Sequence, residues 1–201
     1  MTARGFRPPV TLRGRYVNLE PLSAADVPGL ARAGRDPDVW RLLRIGPART
    51  EPEMAELVDQ FLSAQANGTL LPFVVREPSG RPVGMFRYFD IDREHRSVEI
   101  GTWLDPVVWR TPVNTEVKYL GLRHAFEAES VHRVQLRTDA RNVRSQSAIA
   151  RLGAVREGEH REHYRLRDGS FRTSIIYSIL ASEWPMVRRS LEERLARPWN
   201  R

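Results

Sequence analysis

The chain has no cysteine, which excludes disulfides, cysteine-ligated zinc and a cysteine nucleophile. It has almost no lysine either: Lys118 is the only one, and every other basic side chain is arginine. No apolar run approaches the roughly 18 residues that span a bilayer. The opening MTARGFRPPVTL carries no apolar core of the kind a secretory leader needs. A cytoplasmic protein with no membrane partner is therefore expected. Glycine-rich phosphate signatures are missing as well. There is no G-x-x-x-x-G-K-[ST] and no dinucleotide fingerprint, and the lack of a G-x-S-x-G elbow argues against a hydrolase triad.

What is present is ordinary for a globular chain: 201 residues, 41% hydrophobic and 28% charged, enough to bury a substantial core. The net charge is +7 with a pI near 10.6, and such a balance invites a nucleic-acid reading. The arginines, however, are spread along the chain, with no dense basic run or aromatic interleaving. Nucleic acid is not the expected partner, although the charge suits a phosphorylated ligand.

Hydropathy patterning predicts one domain over residues 1–201. Val17 and Leu19 alternate with Asn18 and Glu20 in a strand from Leu12 to Pro21. Ser23 with Asp26, and Thr50 with Glu53, are paired as capping boxes that open two helices, the second stopping at Gly68. Three strands follow at about 71–76, 82–91 and 96–104, separated by PSGRP and DREHR turns. A helix from about Thr115 to Ala128 shows two apolar stripes and is expected to be covered on both sides. Then come a strand at Arg133–Thr138, a capped helix at Asn142–Gly153, and a hairpin turning at Asp168-Gly169. A last helix runs over about 182–196. The order β-α-α-β-β-β-α-β-α-β-β-α implies an α/β fold: a mixed, mostly antiparallel sheet of about seven strands with helices on its faces.

Three places hold candidate chemistry. Between Trp109 and Thr115 lies Arg110-Thr111-Pro112-Val113-Asn114, where a helix N-terminus could bind an anion without glycine. The alternative is a plain connecting loop. Asn142 and Ser145 open the next helix, where Asn142 is a natural N-cap and capping alone would account for it. Glu99 interrupts the apolar strand SVEIGTWL; it is either a partly buried carboxylate suited to acid–base work or a charge on a solvent face. His160 and His163 lie three apart in a strand, so they should point to opposite faces and not chelate; no metal is expected. Trp40, in the irregular segment between the first two helices, is the tryptophan expected to line a cleft.

Together, SVEIGTWLDPVVWRTPVNTE, LRTDARNVRSQSAIARLGAVREGEHREHYRLRDGS and TSIIYSILASEWP resemble the GNAT superfamily of N-acetyltransferases, and are most similar to the branch of the ribosomal-protein N-terminal acetyltransferases. The first stretch corresponds to the family's acetyl-CoA motif [QR]-x-x-G-x-[GA], with Trp109 at its first position, Pro112 at its glycine and Asn114 at its small residue. The resemblance implies a V-shaped splay between strands 96–104 and 133–138 and acetyl-CoA as cosubstrate. A primary amine, on a protein N-terminus or a small molecule, would be the acceptor, attacking directly in a ternary complex. It further implies cofactor contacts at Trp103, Leu104, Trp109, Arg110, Thr111, Val113, Asn114, Thr115, Asn142 and Ser145. Glu99 would be the base, Ser145 would steady the departing thiolate, and Tyr164 would be a reserve acid. Dimers are common in similar proteins, so a homodimer is left open. An acyl-CoA-binding regulator without chemistry is the other reading.

Overall fold

The computed structural model describes residues 10–166 and 168–199. Eight strands form one sheet in the order β1-β2-β3-β4-β5-β6-β8-β7. The strands are β1 (Leu12–Arg13), β2 (Asn18–Pro21), β3 (Leu70–Arg76), β4 (Pro82–Asp92), β5 (Ser97–Leu104), β6 (Arg133–Asp139), β7 (Val155–Arg165) and β8 (Phe171–Leu180). The helices are α1 (Val27–Ala33), α2 (Glu51–Ala66), α3 (Val113–Arg123), α4 (Val143–Ala150) and α5 (Trp184–Ala196). Every strand pair is antiparallel except β5–β6. The two expected capping boxes form, Asp26 receiving the Ser23 N–H and Glu53 the Thr50 N–H.

The eighth strand comes from a correction at the N-terminal end. The expected strand over Leu12–Pro21 is broken into a small hairpin, with Leu12 opposite Leu19. The cause lies a hundred residues away. Buried Glu116, in the first turn of α3, accepts the backbone N–H groups of Arg15, Tyr16 and Val17 at 2.6–2.8 Å. Gly14 makes room for it, since a Cβ there would come 2.5 Å from the Glu116 carboxyl carbon. The turn thus ties α3 to the sheet.

Two apolar cores cover the sheet. One gathers Phe73, Phe86 and Tyr88 against α3 and α5 through Val117, Leu120 and Leu191. The other packs α1 and α2 on the opposite face through Leu30, Met54, Leu57 and Trp103. Alternation along β4 and β5 explains the split, because successive side chains go to opposite faces. α3 continues into a π-helical turn at His124–Ala128, as far as the sequence pattern foretold.

The feature that shapes the site is a failure of pairing. β5 and β6 pair only from Ser97↔Arg133 to Ile100↔Leu136. Beyond that point β5 stays with β4 as far as Leu104, and β6 stays with β8 as far as Asp139. Residues 101–104 and 137–139 therefore diverge and leave a wedge in the sheet.

Candidate active site

A cavity of about 740 Å³ fills the wedge and runs to both faces of the sheet. Its edge can be assigned by strand alternation. Asp105 donates its N–H to Val83 O in β4 at 2.8 Å. Two residues back, Trp103 must face β4 too, so the N–H groups of Thr102 and Leu104 point into the wedge. Of the two backbone donors expected there, Leu104 is the one that points inward, and the Trp103 N–H faces β4. The Leu104 carbonyl is taken by Trp109 Nε1 at 2.9 Å, which sets the Trp109 ring across the mouth of the wedge.

Two helix N-termini converge on that mouth, those of α3 and α4. α3 starts two residues earlier than expected, at Val113, with Pro112 as N-cap. Proline suits this position because a first-turn N–H would have no helical acceptor in any case. Thr111 does the capping: its hydroxyl donates to Val108 O at 2.7 Å and accepts from Val113 N–H at 3.2 Å. Thr111 Oγ1 and the Val113 amide are thus engaged with each other, which leaves the first-turn amides of Asn114 and Thr115 without helical acceptors. In α4, Asn142 Oδ1 accepts the Ser145 N–H at 3.0 Å, and its amide nitrogen remains a donor toward the cavity. Arg144 lies over the Trp109 ring at 3.4 Å. Burial, followed by the nearby Arg110 and Arg41 charges, lowers its pKa against the opposing pull of Asp38.

On the α1–α2 face, Glu99 is buried and ringed by donors. Arg137 reaches it through Nε (2.9 Å to Oε1) and Nη2, and Gln135 Nε2 reaches Oε2 at 2.9 Å. Oε2 has two donors, and a lone pair remains on Oε1. Glu99 is therefore no solvent-face charge. Tyr164 is not a cavity wall residue; its hydroxyl accepts from Arg137 Nη1 at 2.5 Å while Arg44 stacks on its ring at 3.8 Å. Ser145 lines the cavity.

Trp40 does not line the cleft. It lies in the second core, against Trp103, with its indole N–H on Gly34 O at 2.6 Å. Gly34 and Gly46 leave the space its rings fill. The histidine expectation also changes. The β7 register shifts between His160 and Tyr164, and Glu162 has φ +48°, so the two rings meet at 4.6 Å. Among the described residues no group of three or more metal-ligating side chains forms. No described helix is long and apolar enough to cross a membrane.

Two cavity residues escaped the sequence reading. Lys118, buried in α3, donates to Thr102 Oγ1 at 2.7 Å; burial first, and then the Arg87 charge, lower its pKa to about 7. Arg87 of β4 has its pKa lowered to about 10, chiefly by burial. Signals existed for both. Arg87 shares the Met85–Phe89 face of an apolar strand, and Lys118 follows Asn114 by one helical turn.

The sequence pattern of the acetyltransferase (GNAT) domain matches residues 17–155. The chain belongs to the GNAT acetyltransferase family. Its fold superposes on a GCN5-related N-acetyltransferase from Brucella melitensis with a TM-score of 0.86 and 28% identity, covering 94% of this chain and 87% of that one. Mycobacterium smegmatis RimJ, solved in complex with CoA-disulfide, shares the fold at a TM-score of 0.79 and 22% identity, over 96% of each chain. A Bacillus subtilis (strain 168) protein named "Putative ribosomal N-acetyltransferase YdaF" is 27% identical over 105 residues, and that match spans 52% of this chain and 57% of the relative.

Proposed function

We propose that this GNAT protein moves the acetyl group of acetyl-CoA to a primary amine by direct attack in a ternary complex. The observation that carries this reading is the wedge, with an inward N–H on Leu104 and two helix N-termini at its mouth. An extended pantetheine arm can bond to such an open strand edge as a further strand would. When bound, acetyl-CoA supplies a thioester whose carbonyl carbon accepts the amine nitrogen as the C–S bond breaks.

The residues fit that ligand. The first-turn amides of Asn114 and Thr115 and the α3 dipole attract the pyrophosphate, and Arg110 and Arg144 add charge. The Leu104 N–H and the Asn142 amide hold the arm. Trp109 and Thr111 keep the loop in shape. Ser145, at the start of α4, steadies the thiolate as it leaves. The attacking amine must shed a proton, and Glu99 Oε1 takes it, directly or through water. The acceptor is a primary amine; YdaF's name keeps a protein N-terminus among the candidates.

The test is thiol release from acetyl-CoA with a panel of primary amines, for wild type and Glu99→Gln. The variant should lose about a hundredfold or more in kcat while calorimetry shows little change in acetyl-CoA affinity. An unchanged kcat would remove Glu99 from the mechanism. Binding of acetyl-CoA with no thiol released by any amine would leave the acyl-CoA-binding regulator.

A further inference from the structure

The α1–α2 lobe of the cavity is rich in hydrogen-bond donors that have no acceptor. Arg87 projects from β4 between two aromatic rings, its guanidinium carbon 5.3 Å from the Phe61 ring centre and 4.9 Å from that of Phe89. Opposite it in β5 is Gly101, where a Cβ would come 3.0 Å from the Arg87 guanidinium carbon, so only glycine lets the group lie across the strand. No described residue gives Arg87 a hydrogen bond or an ion pair. The carboxylate nearest by register is Glu99, and it is occupied by Arg137 and Gln135. Trp103, two residues along β5 from Gly101, has a buried indole N–H with no partner, and Arg172 has a buried, unpartnered Nε. All three side chains line the same cavity.

The charges agree with the donors. Arg44, Arg87, Arg137 and Arg172 stand against two buried carboxylates, Glu99, clamped by Arg137, and Asp139, held by Arg141 beside Arg172, and an exposed one, Asp90. A guanidinium partly withdrawn from water between two rings gains from an acceptor, and a planar fork takes a carboxylate with two parallel hydrogen bonds. An acceptor with a bare ammonium would meet mainly repulsion here. One that also carries an anion has a place for each end.

Resting on the acetyltransferase reading, we propose that the acceptor is a small amine bearing a carboxylate. Arg87 holds the carboxylate with help from Arg172 and the Trp103 indole, while the amine lies toward Glu99. The bond chemistry is unchanged; what is added is the substrate class and its anchor.

The experiment compares alanine, glutamine and phenylalanine with their α-amides, alongside spermidine, in the thiol-release assay. Each amino acid should be preferred over its amide in kcat/KM by about tenfold or more, and spermidine should be poor. Arg87→Met should raise KM for the acids and bring the ratio close to one; Arg87→Lys, which keeps charge without the fork, should fall between. Thiol release with equal use of acids and amides, or a preference that survives Arg87→Met, would overturn the anchor and leave the transferase reading standing. If no amine releases thiol, titration of the same pairs into CoA-saturated protein decides. Binding of acids over amides, lost in Arg87→Met, would uphold the anchor and sink the transferase reading; equal or absent binding would overturn the anchor. Preference for a peptide amide beginning with aspartate over one beginning with asparagine, with free amino acids inert, would replace the small amine by a peptide.

Discussion

Replacing the only lysine by methionine isolates one electrostatic cost. Lys118 is buried, its Nζ bonded to Thr102 Oγ1, and its pKa falls from 10.5 to about 7 mainly through burial and secondly through Arg87. The folded protein therefore releases this proton near pH 7, whereas the unfolded chain keeps it to about pH 10.5. Between those values the unfolded state binds more protons, so stability from this group rises with pH at about 1.4 kcal/mol per unit. Below pH 7 both states are protonated and the contribution is flat at its minimum. From pH 7 to pH 9 the rise amounts to roughly 2 kcal/mol once partial titration at pH 7 is included. Lys118→Met has nothing to titrate in that window, and the other groups largely cancel between the two proteins. The variant's unfolding free energy minus that of wild type should thus shrink by roughly 2 kcal/mol between pH 7 and pH 9, or about 4–8 °C in Tm for a chain of this size. Urea unfolding at pH 7, 8 and 9 reads it, and stopping there avoids Arg87, whose pKa is about 10. The packing change and the lost Thr102 bond shift the difference equally at every pH, so only its slope matters. A difference that stays level across the three values would mean that Lys118 keeps its proton in the fold, and the argument would fail.

Two further perturbations address the scaffold and the cofactor end. Glu116→Ala removes the acceptor for three backbone N–H groups, one of them fully buried, and should cost about 3 kcal/mol or more in urea unfolding. A loss under 1 kcal/mol would show that water replaces the carboxylate. Arg110→Gln combined with Arg144→Gln should weaken acetyl-CoA binding by about tenfold or more and flatten its salt dependence; equal affinity in calorimetry at low and high salt would put the phosphates elsewhere.

Local chemistry was legible in the sequence, and long-range chemistry was not. The capping boxes at Ser23 and Thr50, the Asn142 cap and the turn at Asp168-Gly169 need only neighbours within a few residues, and each formed close to its predicted place. The break in the first strand depends on Glu116, about a hundred residues on, and no periodicity in residues 12–21 encodes it. Trp40 was assigned to the cleft because its segment is irregular, yet Gly34 and Gly46 make a slot that buries it. The helix begins at Val113 and not near Thr115 because the Thr111 hydroxyl takes the Val113 N–H, a bond that the apolar pattern of the helix does not encode.

The excess of arginine gains a physical meaning only when the chain is folded. Spread through the sequence, the arginines mark no binding site, yet ten of the residues around the cavity are basic: Arg41, Arg44, Arg87, Arg110, Arg137, Arg141, Arg144, Arg151, Arg172 and Lys118. They divide by position. Arg110 and Arg144 stand at the helix N-termini, where phosphates are attracted by the same dipoles. Arg87 and Arg172 project from β4 and β8 into the α1–α2 lobe, where Glu99 and Arg137 also lie. A single anionic ligand at the wedge mouth would account for the first pair and leave the second unexplained. Two anions, one on the cosubstrate and one on the acceptor, account for both, and they predict that substitutions at Arg144 and Arg87 act on different ligands.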